Sequence, residues 1–188
     1  MSKWNILLLD KSGSMSPQIS NLIKEYNNLL NENNSNICRW TIITFNDNNN
    51  ILYDGCITNA QFLRIGDIIP KGKTALYDAI GNTFNLINES EQIYNNITLN
   101  IITDGLENSS KYFDSDRIIL LKTKLENEKK LKVYFMGATD ECLDKNFSSE
   151  CYYNDLTIAF RSISNNISNE LDNIEDNIRC PKIKRQKN

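Results

Sequence analysis

Ile6-Leu7-Leu8-Leu9-Asp10-Lys11-Ser12-Gly13-Ser14 is the stretch on which the fold turns. Its first four residues form an unbroken apolar run, as in a strand buried on both faces. Beyond it Ile19, Leu22, Ile23, Tyr26, Leu29 and Leu30 recur at helical spacing. Residues 10–14 therefore occupy a strand-to-helix turn at the carboxyl end of a parallel strand, where open α/β sheets bind ligands. Side chains with hard oxygens alternate at 10, 12 and 14, and such oxygens suit Mg²⁺, Mn²⁺ or Ca²⁺. A plainer reading has Ser14 or Ser16 capping the helix, Pro17 in its first turn and Asp10 steadying the turn.

The rest of the chain repeats the strand-then-helix pattern. Residues 38–45 are rich in β-branched and aromatic side chains and read as a strand. A turn cluster at 46–50 and a return strand at 51–54 make an antiparallel hairpin. A short helix is expected around Phe62 to Ile65. Pro70-Lys71-Gly72-Lys73-Thr74 then leads into a helix with Leu76, Ala79, Ile80, Phe84 and Ile87 on its inner face. Ile97 to Thr103 is a strand ending at Asp104-Gly105. A helix from about Ser115 to Lys130, a strand at 133–136, a polar loop at 139–150, an edge strand at 151–153 and a long helix from Asp155 to about Ile178 complete the series. The expected fold is α/β: a doubly wound, Rossmann-like, mostly parallel six-stranded sheet with one antiparallel hairpin strand and helices on both faces.

Composition narrows the function. The length of 188 residues fits one domain, placed at 1–178, followed by a basic tail at 179–188. The tail carries Arg179, Lys182, Lys184, Arg185 and Lys187 without an acid; removing those five positives from the net charge of −3 leaves −8 on the body. An acidic body argues against general nucleic-acid binding. The tail reads either as a solvated, disordered end or as a contact for an acidic partner or nucleic acid. No apolar run approaches the roughly 20 residues that span a bilayer, and the N-terminus is no signal peptide. Five cysteines without a close pair suggest reduced thiols and an intracellular, cytoplasmic protein. The Asn, Ile and Lys excess matches an AT-rich coding sequence of the viral or compact-genome kind. The chain has no histidine, which removes Ser-His-Asp and Cys-His nucleophiles and histidine metal sites.

Three polar turns fall at comparable places: 10–14, Gly72-Lys73-Thr74 and Asp104-Gly105-Leu106-Glu107-Asn108. If the first strand and the Ile97–Thr103 strand are neighbours at the switch point, these turns converge. Asp-x-Ser-x-Ser, a distant Thr and a distant Asp after a strand resemble the signature of the von Willebrand factor type A domain. Leu-Asp-Lys-Ser-Gly-Ser-Met at 9–15, Gly-Lys-Thr-Ala-Leu-Tyr-Asp-Ala-Ile at 72–80, Ile-Thr-Asp-Gly-Leu-Glu-Asn-Ser-Ser at 102–110 and Phe135-Met136-Gly137-Ala138 look like its intracellular and bacterial-type members.

The resemblance implies a metal-ion-dependent adhesion site, all five of whose positions are intact here. Ser12, Ser14 and Thr74 would coordinate Mg²⁺ through their hydroxyls, and Asp10 and Asp104 would hold it mainly through bound waters. Three neutral hydroxyls leave the ion's charge largely uncompensated, so an open position attracts an Asp or Glu carboxylate of a protein partner. The expected function is thus Mg²⁺-dependent protein binding without catalysis and without a membrane. Asp78, Glu107 and Asn108 are candidates for supporting the site, with solvated or turn-capping roles as the alternatives. Lys11 and Lys73 flank it and would steer an acidic partner. Two rival functions stand beside this one. In one the metal only stabilises the fold of a scaffold subunit. In the other Asp10 is the nucleophile of a metal-dependent hydrolase or phosphatase, although such enzymes want a second Asp where Ser12 stands.

Overall fold

Strand β1 (Lys3–Asp10) is apolar from Ile6 to Leu9 because helices cover both its faces. Trp4, Ile6 and Leu8 point to one side and Leu7 and Leu9 to the other; all five are fully buried. The structure is a computed structural model that describes residues 3–33, 38–136, 152–153 and 155–178, with side chains at 3–33, 38–136 and 155–167. In chain order the remaining elements are α1 (Ile19–Glu32), β2 (Arg39–Phe45), β3 (Asn49–Cys56), α2 (Leu76–Glu89), β4 (Asn96–Ile102), α3 (Ser115–Lys129), β5 (Leu131–Met136), β6 (Tyr152–Tyr153) and α4 (Leu156–Ile178).

The sheet order is β3-β2-β1-β4-β5-β6. Five strands have six to eight residues; β6 adds two beside β5. Only β3, paired with β2, runs antiparallel. This is the mixed α/β sheet expected from the alternating pattern, with β1 flanked by β2 and β4. One core packs Ile6, Leu8, Ile43, Phe45, Leu99 and Ile101 under α2 and α3. The other packs Leu7, Leu9, Trp40, Ile42 and Ile102 under α1 and α4. Each fully buried Leu or Ile contributes about 1.5–3 kcal/mol, so these two layers hold the frame on which the turns are mounted.

Register brings the carboxyl ends level. Asp10 pairs with Phe45 and Leu9 with Ile102, so Thr103 and Asp104 leave β4 beside Asp10. Three local expectations are corrected. A short 3₁₀ turn forms at Ile57–Asn59, not at Phe62–Ile65, where the chain is irregular. Asn49 and Asn50 pair in β3 with Phe45 and Thr44, leaving 46–48 as the turn. Neither Ser14 nor Ser16 caps α1: the helix starts at Ile19 behind Gln18, and Gly13–Met15 forms its own 3₁₀ turn. No helix among the described residues is long and apolar enough to cross a membrane. Gly137-Ala138, the 139–150 loop, Cys142, Cys151, Cys180 and the 179–188 tail lie outside the described residues.

Candidate metal centre

The centre is built from the end of β1 upward. Asp10 is fully buried. Its Oδ1 accepts from the Ser12 amide at 2.6 Å and its Oδ2 from the Thr103 hydroxyl at 2.6 Å. The Thr103 hydroxyl also accepts from the Gly105 amide at 3.1 Å, tying the first and third turns together. Burial pushes the Asp10 carboxyl above its ordinary range; the bonds from Thr103 and Ser12 pull the other way, and the charge of Asp104 adds to the rise. Without a cation the site holds this carboxylate at a cost.

The hydroxyls continue outward. Ser12 Oγ and Ser14 Oγ are 3.0 Å apart, and Ser14 Oγ donates to Asp104 Oδ1 at 2.9 Å. Gln18 Nε2 reaches Asp104 Oδ2 at 3.5 Å. The second turn is docked by backbone bonds, Gly13 N–H to Gly72 carbonyl at 3.1 Å and Lys71 N–H to Lys11 carbonyl at 2.9 Å. Gly72 has φ +79°, and a Cβ there would collide with the Asp47 carboxylate, so the turn needs glycine. A Cβ on Gly105 would lie 2.9 Å from Thr74 Oγ1 and 3.5 Å from Asp10 Oδ2. The glycine thus leaves a cradle between those two oxygens.

Asp10, Ser12, Ser14, Thr74 and Asp104 are therefore gathered by the fold, from three turns. Their donor set fits a hard divalent ion. Mg²⁺ takes oxygens at 2.0–2.1 Å in an octahedron, whose adjacent oxygens lie about 2.9 Å apart, close to the Ser12–Ser14 separation. Among the described residues no group of three or more Cys, Asp or Glu is placed to hold a metal; two carboxylates with three hydroxyls are a weaker, more open set.

The supporting candidates lie behind the centre. Asn108 Oδ1 accepts from the Thr74 amide at 3.0 Å, and its own amide donates to the Thr74 carbonyl at 3.1 Å. Glu107 binds the amides of Tyr77, Ser109 and Ser110. Asp78 turns away and accepts the amides of Lys111, Tyr112 and Phe113 at 2.8–2.9 Å, stapling the loop to α2. Lys11 is half-buried and Lys73 exposed at the rim. Thr103, Gln18 and Gly105 were not singled out in the sequence. Thr103 reads there as one more β-branched strand residue, and only the third-turn glycine carried a signal, as part of Asp-Gly.

A family model described as the von Willebrand factor type A domain matches residues 6–107. No curated protein matches the chain. Among solved structures, the vWF domain of the type V pili tip protein Mfa5 from Porphyromonas gingivalis superposes with a TM-score of 0.65 at 11% identity, covering 97% of this chain and 98% of that one. A von Willebrand factor type A protein from Catenulispora acidiphila gives 0.60 at 15% identity, covering 87% of this chain and 42% of that one. Proximal thread matrix protein 1 from the mussel byssus, in a structure with a zinc-occupied MIDAS motif, gives 0.58 at 16% identity and covers 87% and 45%. The chain spans less than half the length of the last two. At these identities the likeness is one of fold.

Proposed function

Because the chain belongs to the von Willebrand factor type A family, we propose that it is a Mg²⁺-dependent protein-binding module. Domains of this family are in general binding modules and not enzymes. Ser12, Ser14 and Thr74 hold the ion through their hydroxyls, and Asp10 and Asp104 hold it mainly through water. Mn²⁺ or Ca²⁺ suits the same oxygens. When bound, the ion supplies a Lewis-acidic position for a carboxylate from outside. The chain's own residues do the rest. Thr103 and Ser12 orient Asp10, Ser14 orients Asp104, and Asn108 fixes the backbone of Thr74. The partner is a protein presenting an Asp or Glu side chain.

The observation that carries this reading is the charge pattern at the gathered oxygens. Among the described residues neither Asp10 nor Asp104 is in an ion pair; both accept only from neutral donors. A cation is the group that answers them. The module comprises 1–178, with 179–188 as a basic tail. Cys38 and Cys56 are free, which suits an intracellular setting.

Affinity capture with the intact chain tests the reading. Wild-type chain in Mg²⁺ retains a partner whose binding is lost on mutating one Asp or Glu of that partner. EDTA, or Asp10→Ala, abolishes capture while circular dichroism stays that of the folded chain. Capture that survives both treatments would rule the reading out.

A further inference from the structure

Helix α2 has no cap of its own. Ala75 at its N-cap position offers no side-chain acceptor, and the first amides of a helix find no partner within it. They are met here from a distant segment. The Tyr77 amide donates to Glu107 Oε2 at 2.9 Å, and the Asp78 amide to Ser110 Oγ at 3.0 Å. The same carboxylate gathers its own loop: Oε1 accepts from the Ser109 and Ser110 amides at 2.8 and 2.7 Å, and Oε2 from the Ser110 hydroxyl at 2.7 Å. Tyr77 follows Thr74 by three residues, and Glu107 follows Asp104 by three. One carboxylate at the positive end of a helix therefore joins the segment that carries Thr74 to the segment that carries Asp104.

We propose that Glu107 is a positioning residue of the metal centre: by capping α2 from the 107–110 loop it fixes Thr74 relative to Asp104 and so sets the affinity for the divalent ion. This rests on the reading of the centre given above and extends it to a side chain whose bonds all lie behind it. Mg²⁺ demands near-ideal octahedral geometry, so ligands on two independent segments serve it only if the segments cannot drift apart. Asn108 holds the Thr74 backbone directly. Glu107 holds the helix and the loop on which both residues are mounted.

Calorimetric titration of the full chain with MgCl₂ tests this, using wild type, Glu107→Ala, Glu107→Gln and, as a control at the far end of the sheet, Asp54→Ala. Glu107→Ala weakens Mg²⁺ binding about tenfold and Glu107→Gln about threefold, because the amide oxygen keeps part of the bonding. Hydrogen exchange without Mg²⁺ quickens at the amides of Tyr77, Ser109 and Ser110 in Glu107→Ala. Asp54→Ala melts lower yet binds Mg²⁺ as wild type does. Affinity within twofold of wild type in a folded Glu107→Ala overturns the proposal. So does an equal loss in Asp54→Ala, since the effect is then general loosening. If Glu107→Ala does not fold, Glu107→Gln decides by the same titration: weakened binding supports the proposal and unchanged binding overturns it. A wild-type chain that binds no Mg²⁺ overturns the reading of the centre, and this inference with it.

Discussion

At the amino ends of β1 and β2, Arg39 meets Asp54 through two bonds of 2.8 and 2.7 Å, donates to the Tyr94 hydroxyl at 2.8 Å and stacks 3.9 Å from the centre of the Trp4 ring. At the carboxyl ends of β1 and β4, Asp10 and Asp104 are met by hydroxyls and amides alone. Both clusters hold carboxylates, and they differ in what answers the charge. The first is closed: Thr41 bonds both Asp54 and Trp4, and Tyr94 bonds Gln92. A bidentate guanidinium leaves nothing for a visitor to do. The second keeps its negative charge unanswered by any cationic side chain among the described residues.

The largest expected effect tests that contrast directly. Asp10→Asn lowers Mg²⁺ affinity about a hundredfold, read by calorimetry, while the metal-free fold at neutral pH is no less stable in urea. The second half follows from sign: burial raises the Asp10 carboxyl, so its ionised form opposes folding at pH 7 and a neutral isostere relieves it. An Asp10→Asn chain that is much less stable without metal would place Asp10 in the structural class with Asp54.

Thr74→Val keeps the shape and removes one hydroxyl. It should cost about tenfold in Mg²⁺ affinity, with Thr74→Ser close to wild type by the same titration. Asp54→Ala should do the converse. It leaves Mg²⁺ binding alone and lowers stability by about 1–2 kcal/mol in urea unfolding, a modest figure because both partners are partly exposed.

Acid separates the two ends with a smaller, graded effect. Arg39 holds the Asp54 carboxyl below its usual range. The stability it contributes is present above the ordinary carboxylate value and is lost only as pH falls through the lowered one. Asp10 shifts upward, so protons compete for it at a higher pH. On stepwise acidification, Mg²⁺ affinity should fall before the Arg39–Asp54 contribution to stability does. The reverse order would break the comparison.

Much of this was legible in the chain, for reasons that differ by residue. The run Ile6–Leu9 and the largely apolar or β-branched Ile97–Thr103 strand announce buried parallel strands because burial on both faces leaves few polar positions. Their adjacency stands in the sequence only as a condition; the β1–β4 pairing supplies it, and with it the meeting of 10–14 with 104. The Thr74 turn was legible only as Gly-Lys-Thr before a helix. Hidden were the bonds that cross between distant segments. Glu107 capping Tyr77 is separated from it by 30 residues, and no local spacing marks such a pair. Asp78 reads equally as a support for the site and as a solvated helix residue until the 111–113 amides are seen upon it. The turn expected at Phe62–Ile65 forms instead at Ile57–Asn59: Phe62 and Ile65 mimic helical spacing, yet they are 55% and 85% exposed and line no core.

Gly105 carries a consequence for any other sequence built on this plan. A Cβ there would come within 2.9 Å of Thr74 Oγ1, so a single alanine replaces none of the five residues and yet must push the Thr74 hydroxyl aside. Reading that one position in a sister sequence therefore tells whether the Thr74 hydroxyl can keep the place it has here.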